Sequence, residues 1–327
     1  MRIYLGLTEN SAPHQTRIFG DFESQLIDLS LAYAGWMKRH RQLSAAAYEL
    51  GSYYFPETIA AFLERGVEAR IALDNVIAFA RNTSTGDLRG PAGEKILYQT
   101  REIRLLPPLQ NPEKSFVIGY SDRARTEVIP TPEIPTGFYK LPQTFVTTGA
   151  PIIWPKFSTE IDADACLAIV IGKEGRRIAP EKAWEHVGGV TLLIDITARE
   201  INKREGATTN NLLGKNFPSS TSLGPAVRLA DSNDDLKDMA IDLSIEGATR
   251  QQFTIRECVF SVEQIIARWS ILGIKPGDFF AIGASMARRG DRLQEPAPLR
   301  VGSTIRCSSS TIGELTHKVV AATGAQT

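Results

Sequence analysis

The sequence predicts an α+β chain, with a mainly β domain over residues 111–327 behind a small N-terminal α/β module at residues 1–110. From Ser115 onward, short apolar segments recur, separated by Gly, Pro and Ser turn signals, as a β domain requires. Helical periodicity is confined to a few stretches. Pro107, Pro108 and Pro112 punctuate the junction between the two parts.

In the module, residues 18–31 read as a strand and turn leading into a helix through Ala34 and Trp36. Residues 56–65 have helical spacing, with Gly66 as the C-terminal cap. Residues 69–81 are apolar-rich and fit a helix or a strand. Residues 82–93, rich in Thr, Ser, Gly and Asp, form a surface loop. In the main domain the expected strands are 116–120, 145–148, 152–154, 167–171, 190–194 and 240–245. Turn signals at 130–135, Gly149, 172–175 and 218–222 separate them. Two helices are expected: 180–186, started by Pro180, and 261–272, with Val262, Ile265, Ile266 and Trp269 as its apolar positions. Residues 299–318 read as a β-meander.

The composition excludes several classes. Lys plus Arg and Asp plus Glu both number 37, so no global field recruits nucleic acid or anionic lipid. The chain opens Met-Arg-Ile-Tyr-Leu-Gly-Leu-Thr and turns polar at once, unlike a signal peptide. Its apolar runs fall well short of the roughly 20 residues that span a bilayer. Cys166, Cys258 and Cys307 are widely spaced, which fits free thiols and a cytoplasmic setting. No nucleic-acid or membrane partner is expected.

Residues 161–172 read Ile-Asp-Ala-Asp-Ala-Cys-Leu-Ala-Ile-Val-Ile-Gly. As a strand they place Asp164 and Cys166 on one face, while the apolar half anchors the strand. A second apolar strand, 190–194, runs into Asp195-Ile-Thr-Ala-Arg199. Two strands that each carry a carboxylate near one end can frame a divalent cation, which wants several rigidly held oxygens. Asp at a strand end equally caps a turn, and spacing alone leaves both readings open.

Other segments follow in order: Phe138-Tyr-Lys140-Leu-Pro142, Gly214-Lys215-Asn-Phe217, Leu223-Gly224-Pro225 and Ile274-Lys-Pro276-Gly277-Asp278. Together with 161–172 and Gly189 to Arg199, they resemble the landmarks of the fumarylacetoacetate hydrolase superfamily, over about residues 105–320. The resemblance implies mixed sheets rolled around a central pocket, and a homodimer. It also implies a divalent cation, Mg or Mn, held by two glutamates and an aspartate. By position those ligands are Asp164, Cys166 and Asp195, of which only Asp195 keeps its type. Cys166 is a soft ligand that would tilt a bound ion toward zinc or iron(II).

Two further departures stand out. The family's Asn-Tyr-x-x-His-x-x-Glu segment falls on Gly119 to Thr126, with Arg123 at the histidine and Thr126 at the glutamate. Arginine stays protonated and cannot act as general base. The Gly-Thr-Pro loop reads Gly283-Ala284-Ser285, with Ser285 as the remaining hydroxyl.

The resemblance thus implies a pocket with added positive charge. Arg123 beside Asp164 and Asp195 would fill the place of the ion, leaving the site metal-free. Lys215, Arg123 and Asp195 are the expected catalytic residues; Tyr120, Arg199, Lys140 and Ser285 are the expected substrate contacts. Lys215 would move protons if burial among cations depresses its pKa. The implied function is enolate stabilisation on an anionic oxo acid or enolisable dicarbonyl compound: tautomerisation, dehydration, decarboxylation or C–C hydrolysis. Loss of the His–Glu pair argues against hydrolysis. The alternatives are a metal-free tailoring enzyme of an aromatic or polyketide pathway, and a non-catalytic binding protein on the same fold. A phosphate loop is absent, since Gly172-Lys-Glu-Gly175 lacks the required spacing. Ser308 to Ser310 near His317 lacks a nucleophile-elbow pattern.

Overall fold

The computed structural model describes residues 1–9, 15–42, 46–119, 132–206, 211–230, 236–283, 288–289, 292–293 and 299–322, with backbone alone at 288–289 and 292–293. The chain divides into two compact units, Met1–Leu109 and Gln110–Thr327.

In the first unit, β1 (Arg2–Thr8), β2 (Arg17–Phe22) and β3 (Gln25–Asp28) precede four helices. These are α1 (Leu29–Arg41), α2 (Ala47–Tyr54), α3 (Ile59–Glu64) and α4 (Gly66–Arg81). Then come β4 (Leu97–Tyr98) and β5 (Ile103–Leu106), and the antiparallel order is β4-β3-β2-β1-β5. Asp28 starts α1: its carboxylate accepts from the Leu31 N–H at 3.0 Å and from Arg17 Nη1 at 2.8 Å. The ambiguous 69–81 stretch is helical, because Ala69, Ala72, Leu73, Val76 and Phe79 are buried at helical spacing. Gly66, at φ +56°, lets α4 begin one residue after α3 closes.

The second unit holds β6 (Ser115–Ile118), β7 (Gly137–Tyr139), β8 (Phe145–Val146), β9 (Ile152–Trp154), β10 (Ile161–Ile171) and β11 (Val187–Ala198). After α5 (Arg199–Gly206) come β12 (Thr221–Leu229), β13 (Ile241–Ile245), β14 (Ala248–Phe253) and α6 (Val262–Trp269). The chain continues with β15 (Phe279–Ile282), a short hairpin of β16 (Arg288–Arg289) and β17 (Arg292–Leu293), then β18 (Thr304–Ser309) and β19 (Gly313–Ala321). One sheet of this unit runs β12-β11-β10-β15-β6-β7, with β8 beside β12, and the other runs β14-β13-β18-β19-β9. The expected helix at 180–186 is a 3-10 helix, and 261–272 is α6 followed by a 3-10 turn.

The apolar core lies between these two sheets. It takes Ile161, Leu167, Ile169, Leu192, Ile194 and Ile196 from β10 and β11, and Leu243, Ile305, Leu315 and Val319 from the second sheet. A buried polar pair also joins the two sheets. Ser222 on β12 and His317 on β19 are fully buried, with the hydroxyl 2.6 Å from Nε2. His317 Nδ1 lies 2.7 Å from the Ala150 carbonyl, which only accepts. The proton is therefore assigned to Nδ1, and Nε2 accepts from Ser222. With both groups inaccessible, the pair pins the sheets together.

Burial lowers the His317 pKa below the ordinary 6.5, against the opposing pull of the Ala150 carbonyl. An unfolded chain binds a proton near that pH that the folded one refuses, so stability falls as the pH drops below about 6.5. Urea unfolding between about pH 5 and 8 should show this slope. His317→Gln should cost about 1–3 kcal/mol at the alkaline end and flatten the slope, whereas an equal slope in the variant would assign the proton elsewhere.

Candidate active site

Strands β10 and β11 pair antiparallel with Asp164 opposite Asp195, Asp162 opposite Thr197 and Cys166 opposite Leu193. Odd-numbered residues of β10 enter the core, so Asp162, Asp164 and Cys166 share the other face with Asp195 and Thr197. A one-residue slip would drive these carboxylates into the apolar layer, which fixes the register. All three carboxylates are buried and must be paired.

Among the described residues, three cationic side chains do the pairing. Lys140, just beyond β7, donates to Asp195 Oδ1 at 2.8 Å, to the Ser220 carbonyl at 3.2 Å and to the Lys215 carbonyl. Lys215 donates to Asp195 Oδ2 and to Thr197 Oγ1, both at 2.6 Å, and its ammonium lies 4.7 Å from the Phe138 ring centroid. Arg199, the first residue of α5, donates through Nη2 to Asp162 Oδ2 at 2.8 Å and to Asp164 Oδ2 at 3.0 Å. Gln251 Nε2 approaches Asp164 Oδ1 at 3.3 Å while Gln251 Oε1 accepts from the Ala165 N–H. Glu200 ties the start of α5 to Ser158 Oγ at 2.9 Å and to Thr159, and the Arg199 N–H donates to the Glu160 carbonyl.

The two facing carboxylates are driven apart. Burial pushes both up, but Lys140 and Lys215 overcome it at Asp195 and hold that group below the usual range. At Asp164, Arg199 and Lys215 offset burial only in part, and its pKa is raised. Burial lowers Lys140 despite Asp195 beside it. Arg199 resists burial because Asp164 and Asp162 hold its charge, and its pKa is raised. Cys166 is pushed well up, by burial first and then by Asp195 and Asp164, so its thiol stays protonated.

The structure brings Asp164, Cys166, Asp195, Lys140, Lys215 and Arg199 to one face. Tyr120, Arg123 and Ser285 lie outside the described residues. Among the described residues, the guanidinium on Asp164 is that of Arg199. Lys140 needs correction: it is wholly buried and donates to three acceptors, so it positions Asp195 and does not reach a substrate. Sequence reasoning missed Asp162, Thr197, Gln251 and Glu200. Asp162 was within reach, since it shares the face of Asp164 by strict alternation. Strands β6 and β15 are parallel neighbours, so Gly119 and Gly283 leave the sheet at the same end. Gly283 passes so close to the Ala165 carbonyl that a side chain there would clash.

The donor set does not suit a hard divalent cation. Both oxygens of Asp195 and both of Asp164 already accept from cationic or amide groups. The third expected ligand is a protonated thiol, whereas Mg²⁺ and Mn²⁺ favour about six oxygens. Among the described residues, no group of three His, Cys, Asp or Glu side chains is arranged to hold a metal. Asp164, Cys166 and Asp195 therefore do not form the ligand set that the resemblance implied, because internal cations have taken the carboxylates.

Known proteins share this architecture. The model of the fumarylacetoacetate (FAA) hydrolase C-terminal family matches residues 116–320. The mitochondrial oxaloacetate tautomerase fahd2 of Xenopus laevis is 34% identical over 222 residues, covering 67% of this chain and 69% of that protein. The mitochondrial oxaloacetate tautomerase FAHD2A of Homo sapiens is 30% identical over 268 residues, covering 81% and 80%. Maleylpyruvate hydrolase from Sphingobium sp. SYK-6 superposes with a TM-score of 0.70 at 18% identity, over 98% of this chain and 100% of that one. That hydrolase has also been solved with manganese(II) and pyruvate. With the family match spanning the β domain and a relative 30% identical across 81% of its length, this chain belongs to the fumarylacetoacetate hydrolase family.

Proposed function

We propose that this enzyme interconverts the keto and enol forms of an anionic 2-oxo acid of the oxaloacetate type, stabilising the enolate with side-chain cations. The observation that carries the reading is the setting of Lys215. Its ammonium is buried and fixed by Asp195 and Thr197. Among the described residues it makes two side-chain hydrogen bonds, which leaves a third N–H for a ligand oxygen. A preorganised donor in a water-poor site stabilises developing oxyanion charge far better than water does. The oxaloacetate tautomerases among its relatives support the substrate class.

Arg199 supplies the second contact. About a third of its side chain is exposed, and its Nε and Nη2 face Asp162 and Asp164. Among the described residues Nη1 has no partner, which leaves it to receive a substrate carboxylate. Enolisation breaks a C–H bond, moves its electron pair into a C=C bond and leaves the charge on the former carbonyl oxygen beside Lys215. Asp164 lies next to Arg199 with a raised pKa, which suits a carboxylate that takes the carbon-bound proton and later gives one back. No step requires an activated water. That agrees with Arg123 and Thr126 standing where the family has its His–Glu pair.

Lys215→Ala should lower kcat/KM for oxaloacetate enol–keto conversion by about 10²–10³, followed by ultraviolet absorbance of the enol. An unchanged rate in a folded variant would remove Lys215 from the chemistry. Because Asp164 must shed its proton to act as base, the acid limb of the pH profile should lie above the ordinary 3.8. Asp164→Asn should abolish that limb together with most of the activity; a limb that persists assigns the proton to another group.

A further inference from the structure

We propose that this site works on fixed side-chain cations and is closed to divalent ions, with Arg199 as the resident positive charge between Asp162 and Asp164. The inference rests on reading this face as the substrate site. Among the described residues the charges balance: Asp162, Asp164 and Asp195 face Lys140, Lys215 and Arg199. A carboxylate at position 166 would leave one negative charge uncompensated, and a cation would relieve that excess. Cys166 removes it. Asp164, one methylene shorter than glutamate, reaches Arg199 Nη2 at 3.0 Å and Gln251 Nε2 at 3.3 Å.

An entering divalent ion would displace these hydrogen bonds and stand beside Arg199 and Lys215. Like charges held this close repel strongly in a low-dielectric site, and a double charge doubles the repulsion. What the cluster accepts is an anion, at Arg199 Nη1 and the remaining Lys215 N–H. The oxo acid is thus bound directly by the side chains.

The test titrates the purified full-length protein with Mn²⁺ and follows the free-ion signal by electron paramagnetic resonance, alongside elemental analysis of the protein as purified. The wild type should carry no stoichiometric transition metal and bind no Mn²⁺ up to about 1 mM, the weak end of carboxylate sites. Cys166→Glu should bind Mn²⁺ at least about tenfold more tightly. One equivalent of ion bound to the wild type would overturn the proposal, as would a folded Cys166→Glu protein with no gain. Should that variant fail to fold, the wild-type titration alone decides. Binding is read on the protein directly, so a lack of tautomerase activity would count against the functional reading and leave this inference standing.

Discussion

Two aspartates placed opposite each other on buried, antiparallel strands set the terms for the whole site. Asp164 and Asp195 face one another because the alternate residues of β10 and β11 are committed to the core. Neighbouring buried carboxylates repel, and removing them from water costs several kcal/mol each unless cations and hydrogen bonds compensate. The surrounding chain supplies that compensation from three places: residue 140 beyond β7, residue 215 before β12, and residue 199 at the start of α5. Each of these segments is held where it is by that need.

The arrangement divides the labour among similar groups. Lys140 is sealed in, with its three hydrogen bonds made internally, and serves to hold Asp195 charged and oriented. Arg199 is about a third exposed, and among the described residues Lys215 makes two side-chain hydrogen bonds where Lys140 makes three hydrogen bonds. Asp195 is held below the usual carboxylate range and Asp164 above it, a split produced by their unequal shares of positive charge. On the far side of the same sheet, the Ser222–His317 pair ties β12 to β19 and keeps β12 beside Asp195.

Much of this was legible in the sequence, for local reasons. The alternation in 161–172 announces a strand with a polar and an apolar face, and the ordered landmarks announce the fold. Strand β1 is buried on both faces, Tyr4 and Gly6 as well as Ile3, Leu5 and Leu7, so no polar–apolar alternation marked it. Depth was not legible: Lys140 reads as a charged residue near a pocket, and only the packing of 212–220 around it shows that it is enclosed. Gln251 meets Asp164 across 87 residues and His317 meets Ser222 across 95, separations at which no local pattern points to a partner. The helix at 66–81 was ambiguous because Val67 and Ile71 put apolar side chains on its exposed face, which blurs the period set by Leu73, Val76 and Phe79.

The proposed chemistry turns on how an oxo-acid mimic sits on this face. A crystal structure of the protein with oxalate tests that most directly. It should show a carboxylate on Arg199 Nη1 and an oxygen on Lys215 Nζ, with the Arg199–Asp164 pair intact. Oxalate chelating a metal ion that is itself bound by Asp164 and Asp195, with Arg199 swung away, would contradict it.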